Sequence, residues 1–156
     1  MIQTGDKAPN GNLRTSEGTS ISLHDLKGRS LAVFLLGHLD PATVNDLLTA
    51  LTDHTDRFLA LAVSPIVILT EPGTQLRYHP QAGDAPYLIT VDADLSLHKQ
   101  FQGVDGKDVR VWLMDEDGVV IDTIPLLPPL EQVRLTAERA GRPYPRNRPE
   151  KNEIPT

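Results

Sequence analysis

A near-continuous apolar run at residues 31–36 passes directly into a pattern of helical spacing. The run Leu-Ala-Val-Phe-Leu-Leu predicts a strand buried on both faces, as in a parallel sheet. Asp40 then offers an N-cap oxygen, and Pro41 suits the first helical position, where no N–H is needed. Apolar residues recur at positions 44, 47, 48 and 51. The pattern therefore predicts a strand at 31–36 that leads into a helix at 41–55.

The remaining apolar patterns predict further strands and helices on both sides of this unit. They are a hairpin of strands 12–15 and 19–23, a helical turn at 22–26, a buried strand at 58–63 ended by Ser64-Pro65, a short helix at 74–78, a strand at 87–91, a helix at 95–101, a hairpin of strands 109–114 and 119–124, and a helix from Pro128-Pro129 to about Ala140. Whether residues 67–69 extend the second buried strand or begin a new element stays open. This order predicts an α/β, thioredoxin-like fold, with a central mixed β-sheet flanked by helices on both faces and an N-terminal β-hairpin.

The last residues of the chain differ in character from the rest. Residues 1–141 form one predicted domain, and residues 142–156 form a Pro-rich tail with four basic and two acidic side chains. Such a segment cannot bury enough apolar surface to fold alone. It is interpreted either as a solvated extended tail or as a polyproline II arm that lies on a partner or a sister subunit.

Charge and hydropathy narrow the classes of partner. The chain has 15 basic and 21 acidic residues, a net charge of −6, which argues against nucleic acid or an anionic membrane as the main partner. Residues 1–10 lack the basic and apolar regions of a signal peptide. The longest apolar stretch, at 58–69, is broken by Ser64-Pro65 and is too short to cross a bilayer. We therefore expect a cytoplasmic protein.

The absence of cysteine excludes several kinds of chemistry together. With no cysteine in the chain, disulfides, thiolate catalysis, iron–sulfur clusters and cysteine-ligated zinc are all ruled out. None of the five histidines stands in a metal-binding motif, and no phosphate loop or dinucleotide motif appears. The sequence Asp53-His54-x-Asp56 closes the predicted helix, where His54 is interpreted as complementing the helix dipole. We predict no metal and no cofactor.

Six short motifs follow one another in a fixed order over residues 4–140. They are Gly5-Asp6-Lys7-Ala8-Pro9, Gly18 with Ser22 to Gly28, Ala62-Val63-Ser64-Pro65, Val91-Asp92-Ala93-Asp94, Gln100-Phe101-Gln102-Gly103, and Trp112 to Gly118. Together they resemble the peroxiredoxin family of the alkyl hydroperoxide reductase and thiol-specific antioxidant type. The resemblance implies a thioredoxin-like fold, a homodimer, and a peroxidatic cysteine after the strand at 31–36.

The position of that cysteine is occupied by another residue. The family motif is P-x-x-x-[T/S]-x-x-C; aligned without gaps, its cysteine falls on Val44, and anchored on Asp40-Pro41 it falls on Thr43. A peroxidatic reaction needs a thiolate that attacks the O–O bond. We therefore predict no catalytic residue of this type, and neither thiol peroxidase nor disulfide-exchange activity.

The arginine of the family site is also displaced. The resemblance places it three residues before the aromatic residue that is here Trp112, which is the position of Val109. Arg110 lies one residue further on, and a slip of one residue turns a side chain to the other face of a strand. A bulge would restore Arg110 to the site, but the sequence requires none.

Three interpretations of the start of the helix at 41–55 follow. The favoured one is a redox-inactive binding or scaffold module: free N–H groups at 42–44, with His38 and the Thr43 hydroxyl, bind a small anion or an acidic side chain of a partner protein. The Asp40 charge weighs against this. The second is a free-standing relative of the thioredoxin-like dimerisation module of flavin-dependent aromatic hydroxylases, which the N-terminal third also resembles. The third is metal-assisted or hydrolytic chemistry at His38, Asp40 and Thr43.

Overall fold

The computed structural model of the chain describes residues 4–8, 11–15, 19–26, 28–36, 41–69, 87–92, 99 and 109–142. Its elements are β1 (Asn12–Thr15), β2 (Ser20–Ser22), a 3-10 helix (Leu23–Leu26), β3 (Ser30–Leu35), α1 (Pro41–Asp53), α2 (Thr55–Ala60), β4 (Val63–Leu69), β5 (Leu88–Val91), β6 (Val109–Met114), β7 (Val120–Pro125) and α3 (Pro129–Ala140). The predicted helix at 74–78, the predicted helix at 95–101 apart from Lys99, and the tail from residue 143 lie outside the described residues.

The seven strands form one mixed sheet in the order β2-β1-β5-β4-β3-β6-β7. Strands β3, β4 and β5 are parallel neighbours, while β1 pairs antiparallel with β5 and β6 pairs antiparallel with β3. The predicted hairpins are confirmed, because β1 pairs with β2 and β6 pairs with β7, both antiparallel. Gly118 has φ +81° in the turn of the second hairpin, as the Asp-Gly pair predicts. The predicted α/β, thioredoxin-like architecture is thereby confirmed.

The core lies on both faces of this sheet. On one face, Phe34 of β3 packs with side chains of α1, α2 and α3, among them Leu48, Phe58 and Val133. On the other face, Leu35 and Trp112 pack with apolar side chains of β1 and the 3-10 helix. Residues 31–36 are all buried, which explains why this stretch is apolar at every position. Trp112 is a core residue.

The predicted strand at 58–63 is wrong in its bounds. Phe58 lies in α2, and the strand next to β3 runs from Val63 to Leu69. Residues 58–63 are apolar at every position, which imitates a buried strand, but in α2 Phe58 is fully buried while Leu59 is 75 % exposed. The helix predicted at 41–55 accordingly ends at Asp53, and a second short helix follows.

Ser64 and Pro65 lie inside β4 and do not end it. Pro65 is opposite Ala32 in the pairing with β3, whereas the pairing with β5 begins only at Ile66, opposite Leu88. Proline cannot donate to a ladder but is tolerated where a neighbouring strand has not yet begun. The sequence alternative in which residues 67–69 extend this strand is therefore confirmed. No helix in the described ranges is long and apolar enough to span a bilayer.

Candidate functional site

The carboxyl ends of the parallel strands β3, β4 and β5 lie together along one edge of the sheet, the edge formed by the strand ends. The ladder is extended there by two backbone hydrogen bonds, from Leu36 N to Ile68 O (3.0 Å) and from Asp92 N to Leu69 O (2.8 Å). The chain leaves β3 at this edge and enters α1 at Pro41. Because β6 runs antiparallel to β3, the first residues of β6 also lie here. Carboxyl edges of parallel strands are where open α/β sheets bind ligands.

Arg110 lies at a bulge in β6. The pairing of β6 with β7 passes from Val109 opposite Pro125 to Val111 opposite Ile124. Two steps on β6 therefore match one step on β7, and Arg110 is the extra residue. The sequence did not require this bulge. In a regular strand, successive side chains point to opposite faces of the sheet, and the bulge interrupts that alternation at Arg110.

The Arg110 guanidinium is a buried cation. The residue is 9 % exposed, and Nη1 donates a hydrogen bond to the carbonyl oxygen of Leu35 at 2.9 Å. The regular pairing of β3 with β6 stops one residue earlier, at Phe34 opposite Val111, so the side chain of Arg110 takes the next carbonyl of β3. Burial lowers the pKa of Arg110, and a guanidinium has five N–H donors. Within the described part of the chain, the Leu35 carbonyl is its hydrogen-bond acceptor.

The first turn of α1 adds the other predicted residues of this site. Thr43 is half-buried, whereas Val44 is fully buried in the core beneath the helix. The first turn of α1 contains no acidic side chain, so no carboxylate within the helix offsets its dipole there. His38, Asp40 and the side chain of Pro41 lie outside the described residues. The structure thus places Thr43 and Val44 in the first turn of α1, and it places Arg110 beside the last residue of β3.

Asp92 is a residue of this edge that the sequence indicated only as part of the motif Val91-Asp92-Ala93-Asp94. It is fully buried and follows directly after β5. Two strands, β4 and β3, separate β5 from β6, which puts the backbones carrying Asp92 and Arg110 about 14 Å apart at the usual strand spacing. The edge therefore holds a buried carboxyl side chain at one end and a buried guanidinium at the other. An acidic residue directly after an apolar strand was the available sequence signal.

His24 and His54, the two histidines among the described residues, each lie close to a backbone carbonyl oxygen. His54 lies between α1 and α2, where its Nδ1 is 2.9 Å from the carbonyl oxygen of Ala50, so it sits at the helix end as the sequence indicated. His24 Nε2 is 3.5 Å from the carbonyl oxygen of Ala8. Among the residues that the structure describes, no group of three His, Cys, Asp or Glu side chains could hold a metal ion.

A mixed sheet with a helix beginning at the carboxyl edge of its central strand defines a thioredoxin-like protein. The chain belongs to the AhpC/TSA family, whose sequence model matches residues 4–123. The resemblance inferred from the six motifs is thereby confirmed. The family's cysteine has no counterpart, because the chain contains no cysteine.

Solved structures agree on the fold. The peroxidoxin BcpB from Mycobacterium tuberculosis is similar with a TM-score of 0.74 and 20 % identity, over 90 % of this chain and 97 % of that one. A cysteine-to-serine mutant of PrxQ from Xylella fastidiosa gives a TM-score of 0.75 at 12 % identity, over 89 % and 96 %. The thioredoxin domain of a thiol-disulfide oxidoreductase from Bacteroides vulgatus gives 0.66 at 14 % identity, over 91 % and 100 %. No curated protein matches the chain.

Proposed function

We propose that this chain is a redox-inactive peroxiredoxin-like protein that acts as a binding module. Its ligand is a small anion or an acidic side chain of a partner protein, held between Arg110 and the first turn of α1. The observation that carries the proposal is the buried Arg110 guanidinium, with the Leu35 carbonyl as its acceptor in the described structure. Without cysteine the site has no thiolate to attack a peroxide.

Two independent features of the site favour negative charge. A buried guanidinium loses hydration and is stable only when its donors find acceptors. Carboxylate and phosphate oxygens match those donors in pairs. The backbone N–H groups that begin α1 have no acceptor within the helix, and they lie at the positive end of its dipole. An anion at this place satisfies both sets of donors at once.

The other interpretations have less support. A metal-assisted or hydrolytic site at His38, Asp40 and Thr43 depends on two residues outside the described ranges. The likeness to the dimerisation module of flavin-dependent hydroxylases rests on the N-terminal motifs alone. We retain the homodimer and the cytoplasmic location as parts of the proposal. We also retain Pro41 and Val44 as the residues that shape the helix start.

An anion titration of the unfolding transition tests the proposal. In a chloride buffer of constant ionic strength, phosphate or acetate at ten times its dissociation constant is expected to stabilise the native protein by about 1.4 kcal/mol. Arg110→Gln removes the charge and should abolish this gain, and Arg110→Lys should keep part of it. The gain is measured as the shift of the urea midpoint.

Arg134→Gln is the matched control, because Arg134 is an exposed arginine on α3. This variant should respond to the anions as the wild type does. Equal stabilisation of the wild type and Arg110→Gln, or no stabilisation of the wild type by either anion, would show that Arg110 does not mark a binding site.

A further inference from the structure

A groove of about 530 Å³ opens at the edge of the sheet opposite to Arg110. It lies where the parallel strands begin, beside α2 and the end of the 3-10 helix. The lining residues come from five separate parts of the chain and are mostly apolar: Leu26, Arg29, Leu31, Thr55, Leu59, Val63, Ser64, Pro65, Ile66, Tyr87 and Leu88. Its volume is that of a site for a small molecule.

The groove lies across the end of the sheet where the parallel strands begin, and its lining includes residues of the apolar clusters on both faces. Val63 and Tyr87 belong to the apolar cluster on the helix-bearing face. Leu31 and Ile66 belong to the cluster on the other face. Leu26 and Leu88 pack against the second cluster and are half-buried, so they present apolar surface to the groove, and covering it with a hydrocarbon chain is favourable.

Two of the hydroxyl groups in the lining are already used inside the protein. The Tyr87 hydroxyl donates to the carbonyl oxygen of Leu48 at 2.9 Å, and the Thr55 hydroxyl donates to the carbonyl oxygen of Leu51 at 3.1 Å. Both bonds are made to the backbone of α1, so these two residues present mainly carbon to the groove.

Arg29 and Leu59 stand at the exposed margin of the groove. Arg29 is exposed and is the one charged side chain among the described lining residues. It takes part in no ion pair found between described residues. Leu59 is 75 % exposed, the most exposed of the large apolar side chains in the described structure. An apolar trough with a single cation at its margin is complementary to a molecule with a hydrocarbon body and a negative head.

We propose that this groove binds an amphipathic monocarboxylate, with its hydrocarbon chain along Leu26, Leu88 and Leu59 and its carboxylate at Arg29. The site is separate from the one at Arg110 and does not depend on it. It would give the protein a second ligand, of a different chemical class from a small hydrophilic anion.

Calorimetric titration with decanoate below its micelle concentration tests this proposal on the full chain. Saturable binding is expected, and it should be weakened about threefold by Arg29→Gln, because a pair at an exposed margin is worth less than about 1 kcal/mol. Leu59→Gln should weaken it about fivefold through lost apolar contact. Decanol and decyltrimethylammonium carry the same chain without the negative charge, and both should bind more weakly than decanoate.

Two exposed residues elsewhere supply matched controls. Arg14→Gln on β1 and Leu130→Gln on α3 change an exposed arginine and a 46 % exposed leucine, and both variants should bind decanoate as the wild type does. Circular dichroism verifies that each variant is folded. The proposal is overturned if decanoate shows no saturable binding, if Arg29→Gln and Leu59→Gln leave its affinity unchanged, or if the cationic analogue binds equally well.

Discussion

Replacing Asp115 with alanine is expected to lower the free energy of unfolding by about 3 kcal/mol, because one buried and one half-buried hydrogen bond are lost together. Asp115 is 3 % exposed. Its Oδ1 accepts hydrogen bonds from the backbone N–H groups of Asp117 (2.9 Å) and Val119 (3.0 Å). Alanine leaves both donors without this acceptor in the turn between β6 and β7.

Other parts of the chain are hydrogen-bonded to the same turn, so disruption of the turn should destabilise them as well. Ala8 N donates to the carbonyl oxygen of Gly118 at 2.8 Å, and Gly28 N donates to that of Glu116 at 3.0 Å. Asp115→Asn keeps an oxygen acceptor without the charge and should cost only about 1 kcal/mol. Urea unfolding followed by the fluorescence of Trp112, the single tryptophan, measures the effect. An unchanged midpoint for Asp115→Ala would contradict this account of the turn.

Introducing a thiol at Thr43 is expected to give a far more reactive cysteine than introducing one at Val44. Thr43 is half-buried in the first turn of α1, where the helix dipole lowers a thiol pKa, and the proposed site adds the positive charge of Arg110. Val44 is fully buried among apolar side chains, which raises it. At pH 7 we expect alkylation of Thr43→Cys by iodoacetamide to be at least about tenfold faster.

Because the wild-type chain contains no cysteine, each single variant contains one thiol, and the measured alkylation rate belongs to that thiol alone. The wild type should consume no hydrogen peroxide above a buffer blank. Adding Arg110→Gln to Thr43→Cys should raise the thiol pKa and slow alkylation. Equal alkylation rates for the two single variants, or a faster rate at Val44, would show that Thr43 is not the position where the positive charge of the site acts on a side chain.

The elements that could be predicted are those whose signals are local. Strand β3 is apolar from Leu31 onwards because both of its faces are covered, and α3 begins at Pro129 and ends before Gly141, as its flanking residues indicate. The β6–β7 hairpin follows from an Asp-Gly turn between two apolar runs. In each case, residues close in sequence carry the whole signal.

The errors arose where distant parts of the chain decide the structure. Pro65 indicates the end of a strand when only its neighbours are considered, but it is acceptable in β4 because β5 begins to pair one residue later. The face of Arg110 depends on a bulge against β7, and no residue near Arg110 requires that bulge. The burial of Asp92 likewise depends on the position of β5 in the finished sheet.

The central claim, that an anion binds between Arg110 and the start of α1, is tested most directly by nuclear magnetic resonance on a 17.1 kDa chain. Phosphate and acetate are titrated while the Arg110 Nε–H signal and the backbone amide signals of residues 42–44 are followed. The expected result is a saturable shift of these signals with one common dissociation constant, while the amide signals of Arg29 and Leu59 stay in place. A titration in which the Arg110 and α1 signals do not move, or move without saturation along with signals over the whole surface, would contradict the claim.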